Sequence, residues 1–384
     1  MRNFPPAQFA RSLIRCAWFF LPLALAAAAD TPATIKVGQY ASLTGKEASF
    51  GVAARKGIVL AVEELNAHGG VLGRPIEFLV EDIQSKSGES ATAVKKLISR
   101  DKVVAILGGN ASSNSLEAAP ICQAAHVPMI AITSTNPKVT EMGTYIFRAC
   151  FIDPFQGAVL AKFATKTLHA KRVALLTSVS APYSVGLSKV FRDRFVEGGG
   201  EIIAEQKYSE GDKDFRAQLT AIKALSPDAI AATGYYTEAA LICQQARALD
   251  ITIPIFGGDG WEAPQLVELG GKAVEGTYYS THYSAESPAP EVQAFIRKYQ
   301  AHYDGEVPDA VAALGYDAMM LLADAMKRAG TTDGPKVRDA LAMTKNFPGV
   351  TGSTTIDAKR NTSKPAVVLE VRNGKAQFVE SVLP

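Results

Sequence analysis

Two clusters of small hydroxylic residues carry the chemistry most open to reading in this chain. Ser112, Ser113 and Asn114 follow the apolar run from Val103 to Leu107 and the pair Gly108-Gly109. Thr133, Ser134 and Thr135 follow a second apolar run, Met129 to Ile132, and between the clusters Leu116 to His126 reads as a helix. A strand–helix–strand unit sets neighbouring parallel strands side by side with both carboxyl ends on one edge of the sheet. Ser112 to Asn114 are then expected at a helix N-terminus beside Thr133, Ser134 and Thr135. Free N–H groups, hydroxyls and the positive end of the helix dipole converge there, an arrangement suited to a carboxylate or another small anion. The plain structural reading makes the same residues a helix cap and a polar turn. Two such clusters on adjacent strand ends, neither holding a basic residue, set a small-ligand site against it.

Catalytic signatures are weak by comparison. The sequence has no H-E-x-x-H, no P-loop and no G-x-G-x-x-G after a strand. Pro182-Tyr183-Ser184-Val185-Gly186 lacks the first glycine of a nucleophile elbow, the one that permits its sharp turn. Ser99-Arg100-Asp101-Lys102 fits S-x-x-K, but it sits in a charged helix end with no S-D-N or K-T-G elsewhere. A serine hydrolase built on Ser184 or Ser112 therefore has no acid–base partner to name. The five histidines, at 68, 126, 169, 282 and 302, show no metal-ligand spacing. No metal, no cofactor and no catalysis are expected.

The elements that position the clusters follow from the rest of the chain. At 384 residues, 47% hydrophobic and 20% charged, it has the length of two ordinary domains and the mix of a globular protein. No basic stripe is present, so no nucleic-acid partner is expected. Arg2, Arg11 and Arg15 precede an apolar run from Ala17 to Ala29, the pattern of a secretory signal cleaved after Ala29. Its loss removes three arginines and no acids, taking the formal charge from +2 to −1. Cys122, Cys150 and Cys243 would remain, with no C-x-x-C among them. They read as buried small hydrophobes, although a Cys122–Cys150 bridge stays open.

Along the chain, strand-like runs alternate with amphipathic helices: Ile35 to Tyr40, a helix stopped by His68-Gly69-Gly70, Ile76 to Val80, Ala91 to Ser99, Val103 to Leu107. That alternation indicates a parallel sheet covered on both faces. After Arg148 the order restarts, with strands at Arg172 to Leu176, Ile202 to Ala204, Asp228 to Thr233 and Pro254 to Phe256. The two halves are offset by about 130 residues, a domain's length rather than a solenoid period. A strand-like run from Gly276 to His282, three helices and short strand-like runs at Thr354–Asp357, Ala366–Val371 and Gln377–Val382 complete the chain. Two similar α/β lobes are expected, joined by several short crossings, because no Pro- or Ser-rich linker divides them.

The segments I-K-V-G, N-A-H-G-G-V-L-G-R-P-I, S-T-N-P-K-V-T and F-I-D-P-F-Q-G, in this order behind a signal, resemble the leucine/isoleucine/valine-binding family. Its members are periplasmic solute-binding proteins that feed ABC importers. The resemblance covers essentially the whole mature chain. It implies a periplasmic monomer of the type I periplasmic binding fold, two doubly wound parallel-sheet lobes with a three-crossing hinge, closing on an amino acid and serving a membrane permease. It also implies the division: signal 1–29, lobe one 30–152 plus 283–355, lobe two 153–282 plus 356–384. By position, Ser112, Thr133, Ser134 and Thr135 match the residues that bind the ligand carboxylate, and Asp259 the acid that holds its ammonium. Phe50, Tyr183 and Tyr235 match aromatic positions of the cleft. A zwitterion needs donors at one end and a carboxylate at the other, so Asp259 in G-G-D-G gains a purpose there.

Three departures stand out. Asp259 stands where the compared relative has Glu, Ala111 and the neighbourhood of Ser85 replace a lobe-one disulfide, and Asn110 is polar where the pattern is apolar. The resemblance also leaves open a same-fold sensor, or a receptor for a small amide, urea or aromatic acid.

Overall fold

A computed structural model of the protein describes residues 1–5 and 33–383, with the folded body beginning at Ala33. The apolar run of the expected signal and its cleavage point after Ala29 lie outside the described residues.

Ten strands build the parallel framework, five in each half: β1 (Ile35–Ala41), β2 (Ile76–Asp82), β3 (Ala105–Gly108), β4 (Met129–Ala131) and β5 (Ile146–Arg148), then β6 (Arg172–Ser178), β7 (Glu201–Tyr208), β8 (Ala229–Ala232), β9 (Ile255–Gly257) and β10 (Tyr278–Thr281). The first five form one sheet in the order β2-β1-β3-β4-β5, parallel throughout. Three short strands follow, β11 (Phe347–Gly349), β12 (Gly352–Ile356) and β13 (Thr362–Ser363), which pair antiparallel among themselves. The second sheet runs β7-β6-β8-β9-β10 and is extended by β14 (Ala366–Arg372) and β15 (Lys375–Val382). In this closing hairpin β14 runs antiparallel to β10, and β15 antiparallel to β14. Its turn is Asn373-Gly374, both at positive φ (54° and 70°), the two-residue geometry that matches strand twist. β7 is longer than the Ile202–Ala204 run suggests. It is an edge strand whose second half alternates polar residues toward solvent, so its hydrophobic signal fades.

Crossover helices cover the sheets: α1 (Ala48–Ala67), α2 (Glu89–Ser99), α3 (Ser112–Ala125) and the short α4 (Lys138–Glu141) in the first half, α5 (Asp153–Lys166), α6 (Pro182–Glu197), α7 (Arg216–Ala224), α8 (Tyr236–Ala248) and α9 (Pro264–Gly270) in the second. Three more follow, α10 (Pro290–His302), α11 (Ala310–Ala329) and α12 (Gly334–Ala342), of which α10 and α11 return to pack on α1. The chain thus passes between the sheets three times: from β5 into α5, after β10 into α10, and from β13 into β14. Two doubly wound lobes with a triple-crossing hinge result. Among the described residues no helix is long and apolar enough to cross a membrane.

The α1–α11 contact shows how tightly the first lobe is built. A Cβ on Gly57 would stand 1.9 Å from the Ala312 carbonyl oxygen, and one on Gly315 2.3 Å from that of Ala54. The two backbones touch because neither position carries a side chain. Gly57→Ala gains roughly 1 kcal/mol in helix propensity, but the clash is with backbone and cannot be relieved by a rotamer. Overpacking of this kind costs about 1–3 kcal/mol, so Gly57→Ala is expected to destabilise the protein in denaturant unfolding; a stabilised variant would mean the helices stand apart.

Cys122, Cys150 and Cys243 are separate buried thiols, and the Cys122–Cys150 bridge is not made. Burial pushes the Cys150 and Cys243 thiols up to about 12, so they stay protonated and act as small core groups.

Candidate functional site

Strand order decides where a site can form. In both sheets the crossovers change direction at the first strand of the half, β1 or β6, which opens a crevice at the carboxyl ends. The two crevices face each other across one cavity. From the first lobe it is lined by Phe50 on α1, Asn110 and Ser112 beyond β3, and Thr133 beyond β4. From the second come Tyr183 at the start of α6, Tyr235 beyond β8, Asp259, Gly260 and Glu262 beyond β9, and His282 beyond β10. Val311, at the start of α11, completes it.

Six of the eight expected residues therefore meet here: Phe50, Ser112, Thr133, Tyr183, Tyr235 and Asp259. Ser134 and Thr135 do not line the cavity. The Ser134 hydroxyl turns back into lobe one, donating toward the Gly109, Asn110 and Ala111 carbonyls and meeting Ser115 Oγ at 2.7 Å. Thr135 lies against the carboxyl of Asp153, which burial pushes up to about 8. Asn110, Glu262 and His282 are the polar lining residues outside the expected set. His282 and Glu262 had a usable signal, since each closely follows a strand end of the same edge.

Ser112 opens α3, but its hydroxyl is not a helix cap; it accepts the Asn136 N–H at 3.3 Å. The Ala111 carbonyl takes the Asn114 and Ser115 N–H groups, so the earlier amides of that turn have no intrahelical acceptor. Gly109, at φ +78°, permits the approach: a Cβ there would stand 1.8 Å from Ser115 Oγ. This end of the cavity offers donors.

The opposite end offers a carboxylate. Asp259 is 7% exposed; its Oδ1 accepts Gln156 Nε2 at 2.8 Å and its Oδ2 faces His282 Nε2 at 3.1 Å. Burial lowers the His282 pKa below its usual value against the pull of Asp259, so the ring is neutral near pH 7. The ring stacks on Phe151, centroids 3.8 Å apart. The glycines around Asp259 exist for packing. A Cβ on Gly258 would meet Tyr183 Oη at 2.4 Å, and one on Gly257 the Trp261 ring at 2.3 Å. Tyr183 accepts the Gly260 N–H at 3.0 Å and stacks on Tyr235 (5.2 Å), whose ring meets Phe50 edge-on (6.0 Å).

The lobes are closed on this cavity. Tyr236 Oη donates to the Lys46 carbonyl (2.7 Å), Asn136 Nδ2 to the Pro182 carbonyl (2.8 Å), and Ser49 bonds Gln265. The closed cavity has a volume of only about 10 Å³, room for little more than one water molecule. Entry of an amino acid thus requires the lobes to part.

Neither serine considered for a hydrolase has a base beside its hydroxyl among the described residues: that of Ser112 accepts the Asn136 N–H. The Ser184 hydroxyl accepts the Ser178 N–H (2.8 Å) and pairs with Thr233 Oγ1 (2.9 Å), fully buried.

Known proteins are similar to this chain in sequence and fold. A leucine-binding protein LivK of Thermotoga maritima is 43% identical, with a TM-score of 0.88 over 91% of this chain and 99% of its own. The branched-chain amino acid transporter substrate-binding protein LivJ of Streptococcus pneumoniae, solved with isoleucine, is 37% identical, with a TM-score of 0.87 over 92% and 100%. A Leu/Ile/Val-binding protein, BraC3, of Rhizobium johnstonii is 30% identical over 87% of this chain and 90% of its own. A family model described as periplasmic binding protein matches residues 34–376, nearly all that lies beyond the expected signal, and the chain belongs to the periplasmic binding protein family.

Proposed function

We propose that this chain captures an amino acid, branched-chain or otherwise aliphatic, outside the cytoplasm and delivers it to the membrane permease of an ABC importer, without catalysing a reaction. The observation that carries this reading is the buried Asp259 carboxylate facing, across one closed cavity, the donors at the start of α3. A zwitterion satisfies both ends; a simple acid or a simple amine satisfies one. Ligand is taken first by Ser112 and Thr133 of the first lobe, and Tyr183, Tyr235 and Asp259 add contacts that exist only on closure. Because those contacts belong to one state, ligand shifts the hinge equilibrium toward it. In this reading the signal is cleaved after Ala29, the lobes divide at 152/153 and 282/283 and, because β13 still pairs with β12, between β13 and β14 rather than at the expected 355/356, and a single copy of the chain does the work.

The stacked Tyr183–Tyr235 pair and the Phe50 edge favour one alternative, an aromatic acid sandwiched in the same cleft. Such a ligand brings no cation for Asp259. A thermal-shift panel on protein refolded free of bound ligand separates the two. At a hundredfold over its dissociation constant a ligand stabilises by about 2.7 kcal/mol, a shift of several degrees. Leucine, isoleucine and valine are expected to produce it; a response to benzoate alone would remove the amino-acid reading.

A further inference from the structure

The cavity holds more acceptors than an aliphatic zwitterion can use. Glu262 is 6% exposed. Its Oε1 accepts the Ala310 N–H at 3.1 Å, at the start of α11, while its Oε2 is buried with no hydrogen-bond partner. The hydroxyls of Tyr279 and Thr281 lie beside the same carboxyl and hold its pKa down against burial, but neither reaches hydrogen-bond geometry with Oε2. Asn110, also 6% exposed, has an unpartnered Oδ1. Its amide turns the NH₂ group to Thr133 Oγ1 (3.2 Å), and that hydroxyl donates to the Asn110 carbonyl (3.0 Å). Both orphan oxygens belong to side chains that line the cavity alongside Val311 and Phe50, and neither is the acid assigned to the ligand ammonium.

We propose that Glu262, assisted by Asn110, is a specificity-determining residue that accepts a hydrogen bond from the ligand side chain, so that the cavity takes a hydroxylated aliphatic amino acid at least as well as its methyl isostere. This rests on the amino-acid reading above and refines it. A purely apolar pocket prefers a methyl to a hydroxyl, whereas a pocket with a buried unpaired acceptor penalises the ligand that leaves it unpaired. Burial raises the Glu262 pKa to about 7, which fits an oxygen held away from water. Protonated or ionised, the carboxyl still accepts.

The isosteric pair L-threonine and L-valine tests this by calorimetry on protein refolded free of ligand. Unaltered protein is expected to bind threonine at least as tightly as valine. Glu262→Met should lower the threonine-to-valine affinity ratio at least tenfold, and Glu262→Gln, which keeps an oxygen for Ala310 and a polar group for the hydroxyl, should largely restore it. Valine preferred more than tenfold by the unaltered protein, or an unchanged ratio in Glu262→Met, would overturn the assignment; the first readout stands even if the methionine variant fails to fold. Loss of both ligands from the unaltered protein would instead strike at the amino-acid reading itself.

Discussion

Asp259→Ala is expected to weaken amino-acid binding by roughly thirtyfold to several thousandfold. Removing one partner of a buried, hydrogen-bonded charge pair costs about 2–5 kcal/mol, and each 1.4 kcal/mol is about a factor of ten. The Asp259 oxygens already accept Gln156 and face His282, but each has a second lone pair to offer. His282 is held neutral by its burial, so it does not cancel the charge that a ligand ammonium would meet. Truncation leaves that ammonium sealed from water behind the cross-lobe contacts of Tyr236 and Asn136. Gln156 retains Ser280 Oγ at 3.1 Å, which limits the damage to the fold. Calorimetric titration with leucine, beside thermal unfolding of both proteins, checks the expectation. A variant that folds normally and binds within threefold of the parent would deprive Asp259 of its role.

How much of this site can be read from sequence depends on which rule places each residue. Strand ends are local features, and the carboxyl edge of a parallel sheet is where ligands bind, so Ser112 and Thr133 needed only the strand–helix–strand pattern. Phe50, Tyr183, Tyr235 and Asp259 came through the family resemblance, since nothing local distinguishes them from ordinary packing or turn residues. The side chains of Ser134 and Thr135 turn away from the cavity for a different reason. They follow β4 in an irregular segment, and side-chain direction there depends on turns that no periodicity reports. His282 was legible by the strand-end rule and was passed over because a lone histidine has no spacing to mark it. Val311 had no local signal. It reaches the cavity because α11 folds back on α1 where Gly57 and Gly315 let the backbones touch, a relation between distant segments.

The same long-range logic governs the third crossing, where the largest stability effect is expected. Lys364 lies between β13 and β14 with its side chain 1% exposed, 3.7 Å from Asp317 on α11, itself 4% exposed. Asp317 also accepts the Val350 N–H (2.7 Å), the Thr351 N–H (2.9 Å) and the Thr351 hydroxyl (2.6 Å), and Lys364 donates to that hydroxyl oxygen. One carboxylate thus pins the crossing strand and the loop between β11 and β12 to the long helix. Asp317→Ala strands a buried ammonium and three donors at once, and breaking a buried pair from one side costs about 3–5 kcal/mol. Lys364→Met should cost clearly less, because Asp317 keeps its three other donors. The double variant should recover part of the loss, since no unpaired charge remains. The pH dependence has a definite sign. Burial lowers the Lys364 pKa, with Asp317 opposing the shift. Without Asp317 the folded-state pKa falls further below the unfolded value of about 10.4. Folding then releases the proton, so the penalty is full at pH below the folded pKa and fades as pH rises toward the unfolded one. Denaturant unfolding of Asp317→Ala should therefore show the variant closing the gap to its parent between neutral and alkaline pH; a gap that stays constant would mean Lys364 is not the group left stranded.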